Sequence, residues 1–370
     1  MEPAAGVAVM SVAILDLFLT VLYARAGAGF VSDHVARSIW TLFYWLSRPF
    51  GRQRPIVLSL SGSFIVASLV ATWAAMLTVG SALILHPYLG SSVRGSGDST
   101  DTDFWTALYA GGSSMSLVGS SDYSPQTTAL RMVYLFNSLL GMSVMSLALT
   151  YVMQVYDALQ ERNTFGLTLD QMSAETGDAA VLVSGLGPNN EFSAGYSNLG
   201  EMADGISAIR EAHDFYPVLF YFRYPEVRYS ASRTTLLALD AVALLRAAIP
   251  DGENGWIKQT ASVRQLWHSS RSLLKTLHET FLPGSAPGRP QTPSKEEQEG
   301  WTRRYERGVS ILREAGIHTV ADEKEGARQY IAQRMEWNQD IVKLAKYMGW
   351  PMDEIDPAMA ADARTRRGEE

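Results

Sequence analysis

The stretch Ser113 to Pro125, SSMSLVGSSDYSP, places oxygen-bearing groups around a single glycine. Gly119 can adopt left-handed backbone conformations, which allow successive carbonyl groups to face the same way. Backbone carbonyls can replace the hydration shell of a cation, and a carboxylate such as Asp122 raises the local cation concentration. The stretch is therefore either a cation-binding loop or an ordinary polar loop, and the neighbouring elements must distinguish the two.

Three apolar segments in the first half of the chain are long enough to cross a bilayer, which takes about 20 residues. They run from about Pro3 to Tyr23, from Ile56 to Leu85 and from Met132 to Tyr156. A cleaved signal peptide is the competing interpretation of the first segment. We disfavour it because the N-terminus carries Glu2 and no basic residue, and because no A-x-A site followed by a globular start appears.

Asp16 interrupts the first segment. A carboxylate within a membrane span is costly, and it marks either a functional group or a tightly paired one. We favour a structural polar contact, with serine or threonine on the second segment, over an ion or proton relay.

Charged residues orient the three segments, because basic residues accumulate in cytoplasmic connections. The first connection is rich in arginine and the second is acidic, with Asp98, Asp101, Asp103 and Asp122. The N-terminus is therefore predicted outside and the C-terminal half in the cytosol. Within the first connection, His34 to Pro55 mixes aromatic residues with arginines, which is typical of an amphipathic helix in the membrane interface.

Composition disfavours several classes of function. The 370 residues include no cysteine, so disulfides and thiolate metal sites are excluded. The formal net charge of −7 argues against a nucleic-acid binder. The six histidines are scattered, and no nucleophile lies beside a base, so we expect neither a resident metal or cofactor nor an enzyme.

The segment Val181 to Asn190, VLVSGLGPNN, is interpreted as a turn because it lacks the third glycine of a phosphate-binding loop.

The segment before the polar stretch is DFWTALYAGG, in which Asp103 is a suitable cap for a short helix over Phe104 to Tyr109. The order of span, FWTALY, SLVGSSD, Ser-Pro and second span resembles the two-helix pore module of the potassium channel family. The resemblance covers roughly Ile56 to Met153. Trp105 matches the pore helix, and Gly119 matches the first glycine of the selectivity filter.

This resemblance implies a homotetramer in the lipid bilayer that passes monovalent cations, potassium above all, through a central pore. The implied filter consists of Leu117, Val118, Gly119, Ser120 and Ser121, with Asp122 at its mouth. The third span would line the pore with Asn137. Gly141, on a similar face of that helix, is either a hinge of the gate or a packing notch.

Three residues depart from the family pattern. Ser121 replaces the second glycine, and a left-handed conformation there costs about 1–2 kcal/mol. Ser120 replaces a tyrosine that would brace the filter, and Leu117 replaces a threonine that helps to bind the ion. All three changes predict weakened potassium selectivity. The alternative is a non-conducting membrane platform whose cytosolic helices recruit or sense partners.

The predicted fold is an all-α membrane protein with three transmembrane helices, a re-entrant pore helix with its filter loop, and a helical cytosolic C-terminal domain. Its predicted regions are the first span with the interfacial helix (1–54), the pore module (55–156), a cytosolic helical domain (157–283), a linker (284–300) and a helical segment with a tail (301–370). Within the cytosolic domain, helices are expected over 236–249 and 262–282 from their apolar spacing. The aromatic residues near His213 are expected to form a core, and a small-ligand pocket is the alternative.

Overall fold

The computed structural model describes residues 1–23, 29–97, 100–116, 122–282 and 292–359, and most of them are helical. Three helices are long and apolar enough to cross a membrane: Glu2–Leu22, Ser61–Tyr88 and Thr128–Met172. The predicted number of spans is thereby confirmed, while the second span begins at Ser61 and not at Ile56. The third helix is longer than predicted, because it continues beyond Tyr156 to Met172.

The chain forms two compact units. The first consists of residues 1–43 and 61–157, and the second consists of residues 44–60 and 158–370. The second unit thus includes a short segment from between the first two spans, whereas the sequence prediction assigned residues 1–54 to an N-terminal region.

The helices of the first 172 residues are, in chain order, α1 (Glu2–Leu17, continued by a π-helical turn at Phe18–Leu22), α2 (Phe30–Leu46), α3 (Arg54–Ser59), α4 (Ser61–Leu85), α5 (Phe104–Met115) and α6 (Thr128–Met172). Two short strands, β1 (Val93–Gly95) and β2 (Tyr123–Pro125), form an antiparallel pair. Helix α1 packs closely on α4, since a Cβ atom on Gly6 would lie 2.5 Å from the carbonyl oxygen of Gly80. Small residues at such a crossing allow two membrane helices to make backbone contact.

The second unit continues with eight helices in the described part of the chain: α7 (Ala179–Leu186), α8 (Ser193–Phe215), α9 (Ala231–Ala248), α10 (Ala261–Phe281), α11 (Lys295–Glu314), α12 (Glu323–Met335), α13 (Asn338–Tyr347) and α14 (Met352–Ile355). Helix α9 is buried on almost every face and forms the centre of this unit. Helices α9 and α10 confirm the two helices predicted from apolar spacing. Phe220 stacks on Phe281 of α10 with 3.9 Å between ring centroids, so the aromatic residues contribute to the core as expected.

Two sequence interpretations in this unit are wrong in part. The predicted linker (284–300) includes Lys295 to Gly300, which form the first turns of α11, while residues 284–291 lie outside the described part of the chain. Ser294 accepts a hydrogen bond from the Glu297 amide and donates its own amide to the Glu297 carboxylate. This capping box was visible as S-x-x-E in the sequence. Likewise, the predicted turn at Val181 is helical up to Leu186.

Buried ion pairs tie the helices of the second unit together. Asp240 of α9 binds Arg304 of α11 at 2.7 Å and Arg334 of α12 at 3.1 Å, and all three side chains are buried. Arg304 also binds Asp178, the N-cap residue of α7, at 2.9 Å, and Arg334 binds Asp356. The network therefore connects four helices through charges that lie away from water.

Candidate functional site

Helix α5 begins at a capping aspartate, as the sequence predicted. A side-chain oxygen of Asp103 accepts a hydrogen bond from the Thr106 amide at 2.9 Å. Hydrogen bonds from Thr106 hold the pKa of Asp103 below its ordinary value. The short helix is confirmed, and it is longer than predicted because it continues to Met115.

Helix α5 lies along α4 and α6 within the first unit. Near its start, Ala107 shares an apolar cluster with Leu130 of α6. Near its end, Ser114 accepts a hydrogen bond from Asn137 at 2.9 Å, and the Met115 carbonyl faces Gly141. Gly141 lies thirteen residues after the first residue of α6, which corresponds to about 20 Å along the helix. The C-terminal end of α5 is therefore level with the middle of the third span.

Asn137 holds these three helices together. Its amide nitrogen donates to the hydroxyl of Ser81 on α4 at 2.8 Å as well as to Ser114 on α5. The side chain is 1% exposed, so it faces the neighbouring helices of its own chain. The sequence interpretation placed Asn137 toward a pore, and this geometry gives it a different set of partners. The reason is physical, because a buried amide needs hydrogen-bond partners and two serines accept from its nitrogen, while its Oδ1 has no partner among the described residues.

Gly141 has the geometry of a packing notch, one of the two predicted alternatives. A Cβ atom at this position would lie 2.1 Å from the Met115 carbonyl oxygen. We therefore expect Gly141→Ala to displace the end of α5 and to destabilise the protein by about 1–3 kcal/mol, the usual cost of overpacking. Thermal unfolding in detergent would measure this, with Gly185→Ala as a control because a Cβ on Gly185 meets open space. Equal melting temperatures for Gly141→Ala and the parent protein would contradict this assignment.

The predicted filter residues Leu117 to Ser121 lie outside the described residues. Both ends of the connection that contains them are described. Strand β1 pairs with β2, so Val93 lies opposite Pro125 and Gly95 lies opposite Tyr123. Asp122 is exposed, and its carbonyl oxygen accepts a hydrogen bond from the Ser96 hydroxyl at 3.0 Å.

Asp16 lies at the centre of a second polar cluster in the first unit. One carboxylate oxygen accepts the backbone amides of Val31 and Ser32 at 2.7 and 3.2 Å. The other accepts the Ser32 hydroxyl at 2.5 Å and the indole N–H of Trp73 at 2.8 Å. Asp16 thus binds the N-terminus of α2, where free amides and the helix dipole favour an anion. The expected serine partner exists, but it lies on α2, whereas the partner on the second span is a tryptophan.

The face of α6 opposite Asn137 and Gly141 is exposed and mainly apolar. Its exposed residues recur with a seven-residue spacing, in the two series Leu135, Met142, Leu149, Tyr156 and Met132, Leu139, Ser146, Met153. We call these residues the α6 stripe. Only 17% of the most apolar window of this span is buried in its own chain, against 39% for each of the other two spans. The third span therefore leaves the largest share of its surface without a partner in the described structure.

An apolar cavity of about 280 Å³ lies beside the end of α5. It is lined by residues of three helices, including Trp73, Leu77, Met115, Val144 and Ala148. Among the described residues, no group of three or more acidic or histidine side chains is placed to hold a metal ion.

The comparisons with known proteins agree with this arrangement of helices. Residues 69–158 match the family model of ion channels. This ion-channel region contains most of α4, all of α5 and the membrane part of α6. The chain is also 18% identical over 298 residues to the uncharacterized membrane protein YdjJ of Bacillus subtilis (strain 168), which covers 80% of this chain and 84% of the relative. No solved structure matches the chain. The chain therefore has spans typical of a membrane protein, and its residues 69–158 are similar to ion channels.

Proposed function

We propose that this chain is one subunit of a homotetrameric channel that passes monovalent cations, potassium above all, down their gradient. In this proposal α4 and α6 are the outer and inner helices of the pore, and α5 is a re-entrant pore helix. Residues 117–121 form the filter, and Asp122 lies at its mouth. The divergent residues of that filter weaken its preference for potassium.

The observation that carries this proposal is the depth of α5. A helix of twelve residues is about 18 Å long, which is too short to cross the roughly 30 Å hydrocarbon core. Its end nevertheless lies beside Gly141, about 20 Å along α6. Irregular backbone at such a depth is tolerated only where protein or water surrounds it. In our proposal, a water-filled path along the axis of the channel would supply that environment.

The direction of α5 supports a cation as the permeating ion. The C-terminal end of a helix carries about half a negative charge on its free carbonyl groups. In α5 that end is the inner one, at Met115, and four copies would direct four such ends toward one axis. Asp122 adds a carboxylate to each copy at the outer mouth. Both features favour cations over anions.

The α6 stripe supports assembly from several copies of the chain. The stripe is an apolar face on one side of a long helix, and helices of other copies of the chain can cover such a face. In our proposal the stripe faces neighbouring subunits and the pore axis. Met142 and Leu149 then form apolar rings near the inner part of the pore, where drying can close the path.

The orientation follows from the charges in the connections. The second connection carries four aspartates, one of which is Asp122, and would lie outside together with the strand pair. The N-terminus would also lie outside, and the second unit would lie in the cytosol. This orientation places the acidic mouth on the outer side.

Flux through the purified protein tests the proposal directly. We expect proteoliposomes to take up rubidium, potassium and, to a lesser extent, sodium. Because the chain has no cysteine, Met142→Cys introduces a single thiol on the α6 stripe. A charged thiol reagent should then reduce the flux by at least fivefold. Ala148→Cys, which lies on the buried face of the same helix, is the matched control and should be insensitive.

The selectivity of the flux tests the filter assignment. Ser120→Tyr together with Ser121→Gly should raise the ratio of potassium to sodium flux, because the pair restores the family pattern. Absence of any flux from correctly folded tetramers would favour the non-conducting platform. A flux that is blocked equally at positions 142 and 148 would contradict the assignment of the stripe.

A further inference from the structure

A small cavity in the second unit is lined by positive charge without a carboxylate. It has a volume of about 20 Å³, which is room for one water-sized group. Its lining includes Arg162 of α6, His213 of α8 and Arg223, together with aromatic and serine residues. None of the lining residues is acidic. The walls therefore carry two guanidinium groups; Glu354, which is not in the lining, acts on Arg223 and raises its pKa against the effect of burial.

Arg162 is 5% exposed, and among the described residues it forms no ion pair. Its two terminal nitrogens donate to the carbonyl oxygens of Leu219 and Phe222 at 2.8 and 2.9 Å. Its Nε is buried without a hydrogen-bond partner in the described structure. A buried guanidinium with one unused donor is costly unless a further acceptor is present.

The N-terminus of α9 contributes to the same wall. Ser230, the N-cap residue, makes no side-chain capping bond, and Ala231 and Ser232 follow it in the lining. The first amides of a helix have no partner within the helix, and the dipole of an eighteen-residue helix favours an anion at this end. Arg162 and α9 thus supply donors from two separate elements.

His213 adds a hydrogen-bond acceptor to this cavity. It is 1% exposed, and its Nδ1 lies 2.8 Å from the Ile209 carbonyl oxygen, to which it must donate. Burial and the charge of Arg162 lower the pKa of His213 to about 4, so the ring is neutral at pH 7. Its Nε2 is then a bare acceptor, and it has no partner in the described structure. A group that donates a proton to His213 Nε2 and accepts one from Arg162 Nε would satisfy both atoms, and a protonated oxyanion would also balance the charge of Arg162.

We propose that this cavity is a binding site for a protonated oxyanion of the phosphate class. One hydroxyl oxygen of the anion enters the cavity, donates its proton to His213 Nε2 and accepts from Arg162 Nε, and the other oxygens accept from the first amides of α9. The cavity admits one oxygen, while the rest of the anion lies at the side where Tyr224, Tyr229 and Ala231 are partly exposed. The inference does not depend on conduction. Because Arg162 belongs to α6, the bound anion would also act on the helix that continues from the third span.

The sharpest test compares phosphate with sulfate, which has the same shape but no proton at pH 7. We expect calorimetric titration of the detergent-purified full chain with inorganic phosphate to give saturable binding of one anion per chain. Sulfate should bind at least tenfold more weakly, because its oxygen would face the lone pair of His213 Nε2. Glycerol phosphate in place of inorganic phosphate would show whether the site accepts a monoester. Equal binding of phosphate and sulfate, or no saturable heat, would overturn the proposal without the use of any variant.

Two variants then test the donor role of Arg162 and the acceptor role of His213 separately. Arg162→Gln should weaken phosphate binding at least tenfold. His213→Gln should let sulfate bind nearly as well as phosphate, because an amide can turn its NH2 toward the anion. Arg210→Gln is the matched control, since Arg210 is also on α8 but pairs with Asp214 near the surface. Unchanged sulfate discrimination in His213→Gln would exclude the proton-accepting role of His213.

Discussion

Asp240→Ala should lower the free energy of unfolding of this protein by about 3–5 kcal/mol, the usual cost of breaking a buried ion pair from one side. The carboxylate is 1% exposed and binds Arg304, Arg334 and the Tyr330 hydroxyl, the last at 2.5 Å. Its removal leaves two guanidinium groups buried with less compensation. Denaturant unfolding followed by intrinsic fluorescence would measure the loss. Asp251→Ala is the control because Asp251 pairs with Lys258 at the surface, where such pairs contribute about 1 kcal/mol or less.

The same carboxylate predicts a pH dependence. Burial would raise the pKa of Asp240, but Arg304 and Arg334 outweigh burial and hold this pKa below its ordinary value of 3.8. A carboxyl with a lowered pKa stabilises the fold above its unfolded pKa, and this contribution is lost as the pH falls. We therefore expect the parent protein to lose stability below about pH 4. Asp240→Ala should lose less over the same range, and parallel curves for the two proteins would contradict this role of Asp240.

Asp16→Ala should destabilise the first unit by about 3 kcal/mol, because several buried donors lose their only described acceptor at once. These donors are the Trp73 indole and two groups of Ser32, together with the Val31 amide. Hydrogen exchange at residues 31 and 32 gives a local readout, and we expect their protection to fall by at least tenfold. Thermal unfolding in detergent measures the global loss.

Two further variants separate structural and conducting roles of Asp16. Asp33→Ala removes a carboxylate that pairs with Arg37 on α2 outside this cluster, and it should have a small effect. Asp16→Asn keeps an acceptor oxygen and should recover part of the lost protection. If Asp16→Asn instead abolished cation flux while leaving exchange and melting unchanged, the relay interpretation would replace the structural one.

The spans were predictable because length and apolarity alone decide whether a helix can cross a bilayer. The start of α5 was predictable as well, since an aspartate before an apolar run is a local signal. The partners of Asp16 were not, because Ser32 and Trp73 are sixteen and fifty-seven residues away. Nothing in the local pattern identifies contacts at such separations.

Asn137 shows a second limit of prediction from the sequence. The sequence places Asn137 and Gly141 on one face of α6, and both do face α5. Whether that face turns toward a pore or toward the same chain depends on serines of α4 and α5, so spacing within α6 could not decide it. The sequence did contain a pattern for the exposed face of α6, because the apolar residues Leu135, Met142 and Leu149 follow one another at seven-residue spacing.

The assignment of residues 44–60 to the second unit has a mechanical consequence. Arg223 donates to the Pro55 carbonyl oxygen at 3.3 Å, and Gly349 lies next to Leu58 and Tyr44. The polypeptide therefore passes between the units three times, before Tyr44, after Leu60 and after Asp157. A force on the C-terminal half would reach α6 through the chain at Asp157. It would reach α4 through residues 44–60, which contact the second unit and continue into α4. A chain truncated at Asp157 would strip residues 44–60 of the surface on which they rest, so it would be a damaged protein rather than an isolated pore.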